Sequence, residues 1–96
     1  MQPFLVERRL RDVHHRLVRA RKELAVLDEQ LAVVEEEAEE ARVRSLVAET
    51  PLAAHQHAEV RRQADAMTRA RDALRDAVDQ LERRQDELLM SVRTDR

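Results

Sequence analysis

Glycine, cysteine, tryptophan and tyrosine are all missing from this 96-residue chain, and phenylalanine and proline occur only once and twice. Each absence excludes something. Without glycine there are no ready φ > 0 positions for the turns of sandwiches, barrels and dinucleotide-binding folds, and no loop to cradle a phosphate. Without cysteine there are no disulfides and no thiolate metal sites. With one aromatic residue, strands lose much of their usual material and nucleic acid has no stacking platform. No apolar run approaches the roughly 20 residues needed to cross a bilayer. The apolar stretch after Met1 is too short for a secretory signal, so the expected location is the cytoplasm by default.

What remains is helix-forming material. Ala, Leu, Arg, Glu and Gln dominate, and 40% of the residues are charged with both signs interspersed. That composition belongs to coiled coils and long helices. The formal charge of −2 gives no global pull toward nucleic acid or an anionic membrane. Seventeen arginines against a single lysine, with abundant Ala and Val, is a bias shared with high-GC bacteria.

The apolar residues are periodic. Val6, Leu10, Val13, Leu17, Ala20, Leu24, Leu27, Leu31, Val34, Ala38, Ala41, Ser45 and Ala48 follow alternating steps of four and three. This is a heptad seam with leucine at the a positions 10, 17, 24 and 31. A second seam runs through Ala53, His57, Val60, Ala64, Met67, Arg71, Leu74, Val78, Leu81, Gln85, Leu88 and Val92. Between them lies Thr50-Pro51, an N-cap residue followed by the residue favoured at the first helical position. The predicted elements are a helix over about 5–48, a turn at 49–51 and a helix over about 52–92. Lacking glycine, the first helix is expected to end without a left-handed cap.

A short connection favours antiparallel neighbours. Folding at the turn pairs Ala48 with Ala53, Val34 with Met67, Leu27 with Leu74, Leu24 with Val78, Ala20 with Leu81, Val13 with Leu88 and Leu10 with Val92. The charges agree with this register. Residues 23–40 carry eight acids and no Lys or Arg, and they face Arg61, Arg62, Arg69 and Arg71. The basic segment 1–22 ends beside Glu82, Asp86 and Glu87. The predicted fold class is therefore all-α, an antiparallel two-helix coiled-coil hairpin forming a single domain.

The hairpin has more apolar surface than one seam uses. Val26 and Val33 lie off the seam on the first helix. Ala66, Ala70, Ala73 and Ala77 form a row of small residues beside the seam on the second. These six are the expected partner interface, either in a homodimeric four-helix bundle or with a partner protein's helix. His57, Arg71 and Gln85 stand at a positions, where polar residues set register. Arg71 is expected to face Leu31 and to reach toward Glu35.

No catalytic, cofactor or metal constellation emerges. His55 and His57 are two apart, so they point in different directions from a helix, and His14-His15 are distant from them in sequence. The acid run Glu35-Glu36-Glu37 and Glu39-Glu40 splays along a helix instead of wrapping a cation. The basic run Arg8, Arg9, Arg11, Arg16, Arg19, Arg21 and Lys22 lacks aromatic partners for bases. The expectation is no enzyme, no cofactor, no small-molecule ligand, no nucleic acid and no membrane.

Two segments, 44–51 (RSLVAETP) and 81–89 (LERRQDELL), resemble small actinobacterial coiled-coil proteins of unassigned function. The architecture is also similar to the helical-hairpin anti-sigma factors of sporulating actinomycetes. Those bind cyclic di-GMP through a spaced Glu, Ser, Arg, Gln, Asp pattern. Here Glu87 and Ser91 keep the first spacing, Arg93 comes one residue early, and no Glu lies four residues before Ser45. The nucleotide motif is not carried over. The resemblance implies a hairpin that captures a partner helix, so two functions are expected. One is a protein–protein interaction module that self-associates or scaffolds a partner, and the other is a regulatory adaptor that sequesters a transcription or signalling protein.

Overall fold

The structure, a computed structural model, describes residues 3–94 as two helices, α1 (Pro3–Ala48) and α2 (Pro51–Thr94), and among the described residues there is no strand. The helices run antiparallel and pack against each other through their heptad seams. Each begins at a proline, whose fixed φ and missing N–H suit the first helical position. Pro51 thus belongs to α2 and not to the turn, which is Glu49-Thr50 alone.

The turn corrects one expectation. Glu49 adopts the left-handed region at φ 51°, and its N–H donates to the Ser45 carbonyl at 3.1 Å. That is the αL cap that glycine normally supplies, built here from a glutamate. Pro51 explains why the chain accepts it. Thr50 must be extended ahead of a proline, so the reversal has to be completed at Glu49. Thr50 then caps α2: its Oγ1 accepts from the Ala53 N–H at 3.2 Å, and its carbonyl accepts from the Ala54 N–H at 3.1 Å. A β-carbon in the αL region costs roughly 1–2 kcal/mol. Glu49→Gly should relieve this while adding about 0.4–1 kcal/mol of unfolded-state entropy. The expected net gain is about 0.5–1 kcal/mol, read as a raised midpoint in a thermal melt followed by circular dichroism.

Packing divides the residues into two compact units, Met1–Leu24 with Ala73–Arg96, and Ala25–Asp72. In the first, Val6, Val13 and Leu88 form one buried cluster against Leu10, Leu81 and Val92. Leu17, Ala20 and Val78 form another against Leu24, Leu74 and Leu81. These are the layers the four-three spacing predicts, since Val13 meets Leu88 and Ala20 meets Leu81. In the second unit the buried residues are Leu31, Val34, Ala38, Ala41, Ala53 and Ala64. The thinner alanine layers toward the turn bury less apolar area per residue than the leucine layers. Ala48, expected to pair with Ala53, is exposed, because the chain is already leaving the helix there for the αL turn.

Candidate interaction surface

With Leu10 at a and Val13 at d, the e and g positions border the seam, and in an antiparallel pair e lies beside e and g beside g. The two borders of this hairpin differ. On the e side, ion pairs cross from helix to helix in each unit. In one, the Arg21 guanidinium lies 3.3 Å from the Glu82 carboxylate. In the other, Arg61 binds Glu35 as a two-pronged fork, Nη2 donating to Oε1 at 2.7 Å and Nη1 to Oε2 at 3.0 Å. Arg61 Nε also donates to Asp65 Oδ1 at 3.0 Å.

Arg71 acts on Glu35 through its charge, as expected of a side chain reaching that way, but it does not hydrogen-bond to it. Its guanidinium donates to Asp72 Oδ1 at 3.1 and 3.2 Å, and the Glu35 carboxylate is taken by Arg61. The reason lies in position. Arg61 and Glu35 both stand at e and meet across the border, whereas Arg71 emerges from an a position inside the seam and turns to its neighbour on α2.

The Arg61 hydrogen bonds hold the Glu35 carboxyl below the usual glutamate value against an opposing push from partial desolvation, with the charges of Arg61 and Arg71 adding to the lowering. The same pairing raises Arg61 above the usual arginine value. Glu39 is lowered by its hydrogen bonds from Arg42 on the same helix, again against partial desolvation. A depressed carboxyl stabilises the fold at pH values above its unfolded pKa, and that contribution disappears as pH falls through the folded value. Thermal melts from neutrality down through the carboxylate range should therefore show a shallower acid limb for Glu35→Gln than for the parent chain.

The g side has no such cover in the Ala25–Asp72 unit. There Leu27, Gln30, Val33, Val34, Gln63 and Met67 line an open groove of about 550 Å³. Val33, which lines it, is 55% exposed; Val26, one heptad earlier on α1, is 52% exposed, and Ala66 and Ala70 on α2 are exposed. Leu27 and Met67, assigned to the seam, are only half-buried because they face this groove. Of the other seam residues, Leu17, Leu31, Val34, Val78 and Leu88 are buried, and Leu10, Leu24, Leu74 and Leu81 are half-buried. In the other unit Ala73 is exposed and Ala77 half-buried. His57, Arg71 and Gln85, the polar a residues, are all half-buried.

A second apolar patch lies beside the turn. Val43, Leu46, Val47 and Leu52 are exposed, Val47 to 80%. Heptad periodicity does not reveal it, because Val43, Leu46 and Val47 stand at f, b and c beside the small seam residues Ala41, Ser45 and Ala48. The signal was present as three apolar residues within 43–47 that no heptad seam uses. Phe4, Leu89 and Met90 are also exposed, in the unit that holds the chain ends.

Among the described residues, the histidines and acids form no chelating group. His55 Nε2 lies 3.1 Å from Glu59 Oε1, and the His14 and His15 rings are tilted with centroids 5.9 Å apart. Among the described residues, no group of three or more His, Cys, Asp or Glu is placed to hold a metal ion. No described helix is long and apolar enough to cross a membrane.

The class defined by these observations is an all-α helical hairpin, whose Ala25–Asp72 unit has an ion-paired border and an open apolar one. No protein-family model, curated protein or solved structure matches the chain.

Proposed function

We propose that this protein is a non-enzymatic coiled-coil interaction module, and that its open border associates with a second copy of the same hairpin. The observation that carries this reading is the open groove lined by Leu27, Val33 and Met67 in the Ala25–Asp72 unit, with Val26 also exposed one heptad earlier on α1. A two-helix hairpin buries one narrow stripe per helix, which barely offsets the entropy of ordering so many residues. Laying two open borders together covers the valines and half-exposed Leu27 and Met67, and closes a four-helix bundle. Association that stabilises the folded chain makes its melting midpoint rise with protein concentration. Melts across a concentration series test this: a rising midpoint supports the reading, and a constant midpoint overturns it.

The exposed patch of Val43, Leu46, Val47 and Leu52 favours a second reading, a regulatory adaptor that sequesters a transcription or signalling protein at the turn. Under that reading the chain alone is a weakly helical monomer at every concentration, and it gains helicity only with its partner.

A further inference from the structure

Resting on the second reading above, capture of a partner at the turn, we infer that the captured element is a basic amphipathic helix laid along the outer face of α1 between Glu36 and Val47. Every residue of this surface belongs to the Ala25–Asp72 unit. Glu36, Glu40, Val43 and Val47 follow steps of four, three and four, so they share one face of α1, turned away from the heptad seam. All four are exposed, and among the described residues Val47 is the most exposed large apolar side chain. A four-three row is the spacing with which one helix packs on another, so the occupant it fits is a helix and not an extended strand.

Two adjoining hollows give this face its relief. Glu39, Glu40, Val43, Arg44 and Val47 line one of about 530 Å³. The other, of about 300 Å³, shares Glu40 and Arg44 and reaches back to Ala41 and Val60 in the seam. Each combines apolar lining with charged residues, as a surface that anchors an amphipathic helix requires.

Charge selects the occupant. Glu35 and Glu39 are already paired, with Arg61 and Arg42. Glu36, Glu37 and Glu40 make no ion pair among the described residues, and they outnumber Arg44 at this surface. The whole unit carries eleven acids against six Lys and Arg. A helix with Lys or Arg opposite Glu36, Glu37 and Glu40 gains complementary charge. A second copy of this face would set glutamate against glutamate, and an anionic membrane would meet the same repulsion. The acids lie on the side away from the turn and Val43, Leu46 and Val47 lie next to it. The partner's basic end therefore points away from the turn, with its apolar anchors beside it.

Two synthetic peptides of about 20 residues, roughly six helical turns, serve as probes. Both carry leucines at four-three spacing, and they differ only in flanking charge, lysine in one and glutamate in the other. Fluorescence anisotropy with the whole chain should show the lysine peptide binding at least about tenfold tighter than the glutamate peptide. Glu36→Lys with Glu40→Lys should reverse that preference. Asp28→Lys with Glu29→Lys, the same change of charge two turns earlier on α1, should leave it in place. Val43→Ser with Val47→Ser removes the anchors without adding charge, and should weaken the lysine peptide about tenfold. Equal binding of both peptides, lost in the serine variant, overturns the basic partner and leaves capture at the turn standing. No binding of either peptide, or binding that the serine variant keeps, overturns capture at the turn as well. A dimer that the serine variant abolishes in sedimentation makes a second copy the occupant and overturns the proposal.

Discussion

Leu17→Asp is expected to abolish the folded hairpin. Leu17 is 1% exposed and packs with Ala20 and Val78 where the leucine layers are thickest. An aspartate there has no basic partner inside the seam. Burying its charge, or protonating it to avoid the charge, costs several kcal/mol. A small two-helix domain has only about 3–5 kcal/mol of stability to lose. Far-ultraviolet circular dichroism should show loss of the cooperative melt. Leu17→Ala should be milder, about 2–5 kcal/mol, through lost burial and the cavity left behind. Val47→Asp is the matching control, since Val47 is 80% exposed beside the turn. Its effect on stability should stay within about 0.5 kcal/mol. Equal effects at positions 17 and 47 would contradict the packing.

The second large effect concerns association. The double change Val26→Asp with Val33→Asp places one charge in the lining of the open groove and one at the exposed apolar position a heptad before it. Each buries an unpaired carboxylate if the groove is covered by a second hairpin. Together they should weaken dimerisation at least about 100-fold, by the magnitude typical of central interface residues. Ala25→Asp with Ala32→Asp adds the same charge to the same helix at exposed b positions, on the side away from the groove. That control should leave association unchanged. Sedimentation of both variants at matched concentrations gives the comparison, and equal weakening would mean that net charge, not the groove, governs association.

Much of the fold is legible in the sequence because heptad spacing dictates which side chains share a face. Every buried apolar residue, from Val6 to Leu88, stands at a seam position. The helix boundaries at 48 and 51 follow from Thr50-Pro51, since proline restricts the residue before it and suits the first helical turn. The αL conformation of Glu49 was not legible. Local preference disfavours it, and it arises because the extended residue before Pro51 leaves the tight reversal between two packed helices to Glu49. The hydrogen-bond partner of Arg71, Asp72, is likewise not legible, although the Arg71 charge does act on Glu35. Heptad letters place a side chain on a face, but not the direction in which a long arginine turns from it.

The exposed apolar surface is half legible in the sequence. Val26 and Val33 stand out as off-seam valines, yet spacing alone does not show that the e border is closed by Arg61 and Glu35 while the g border stays open. That asymmetry needs side-chain positions on both helices. The patch at Val43, Leu46 and Val47 is not legible from spacing, because those residues sit among alanine and serine seam positions and carry no periodicity of their own.

Sedimentation equilibrium of the unaltered chain across a concentration series tests the open-border account most directly. The account predicts a species of twice the chain mass, dissociating on dilution with a parallel loss of thermal stability. A single-chain mass at every concentration, with the helical melt fully cooperative, would contradict it.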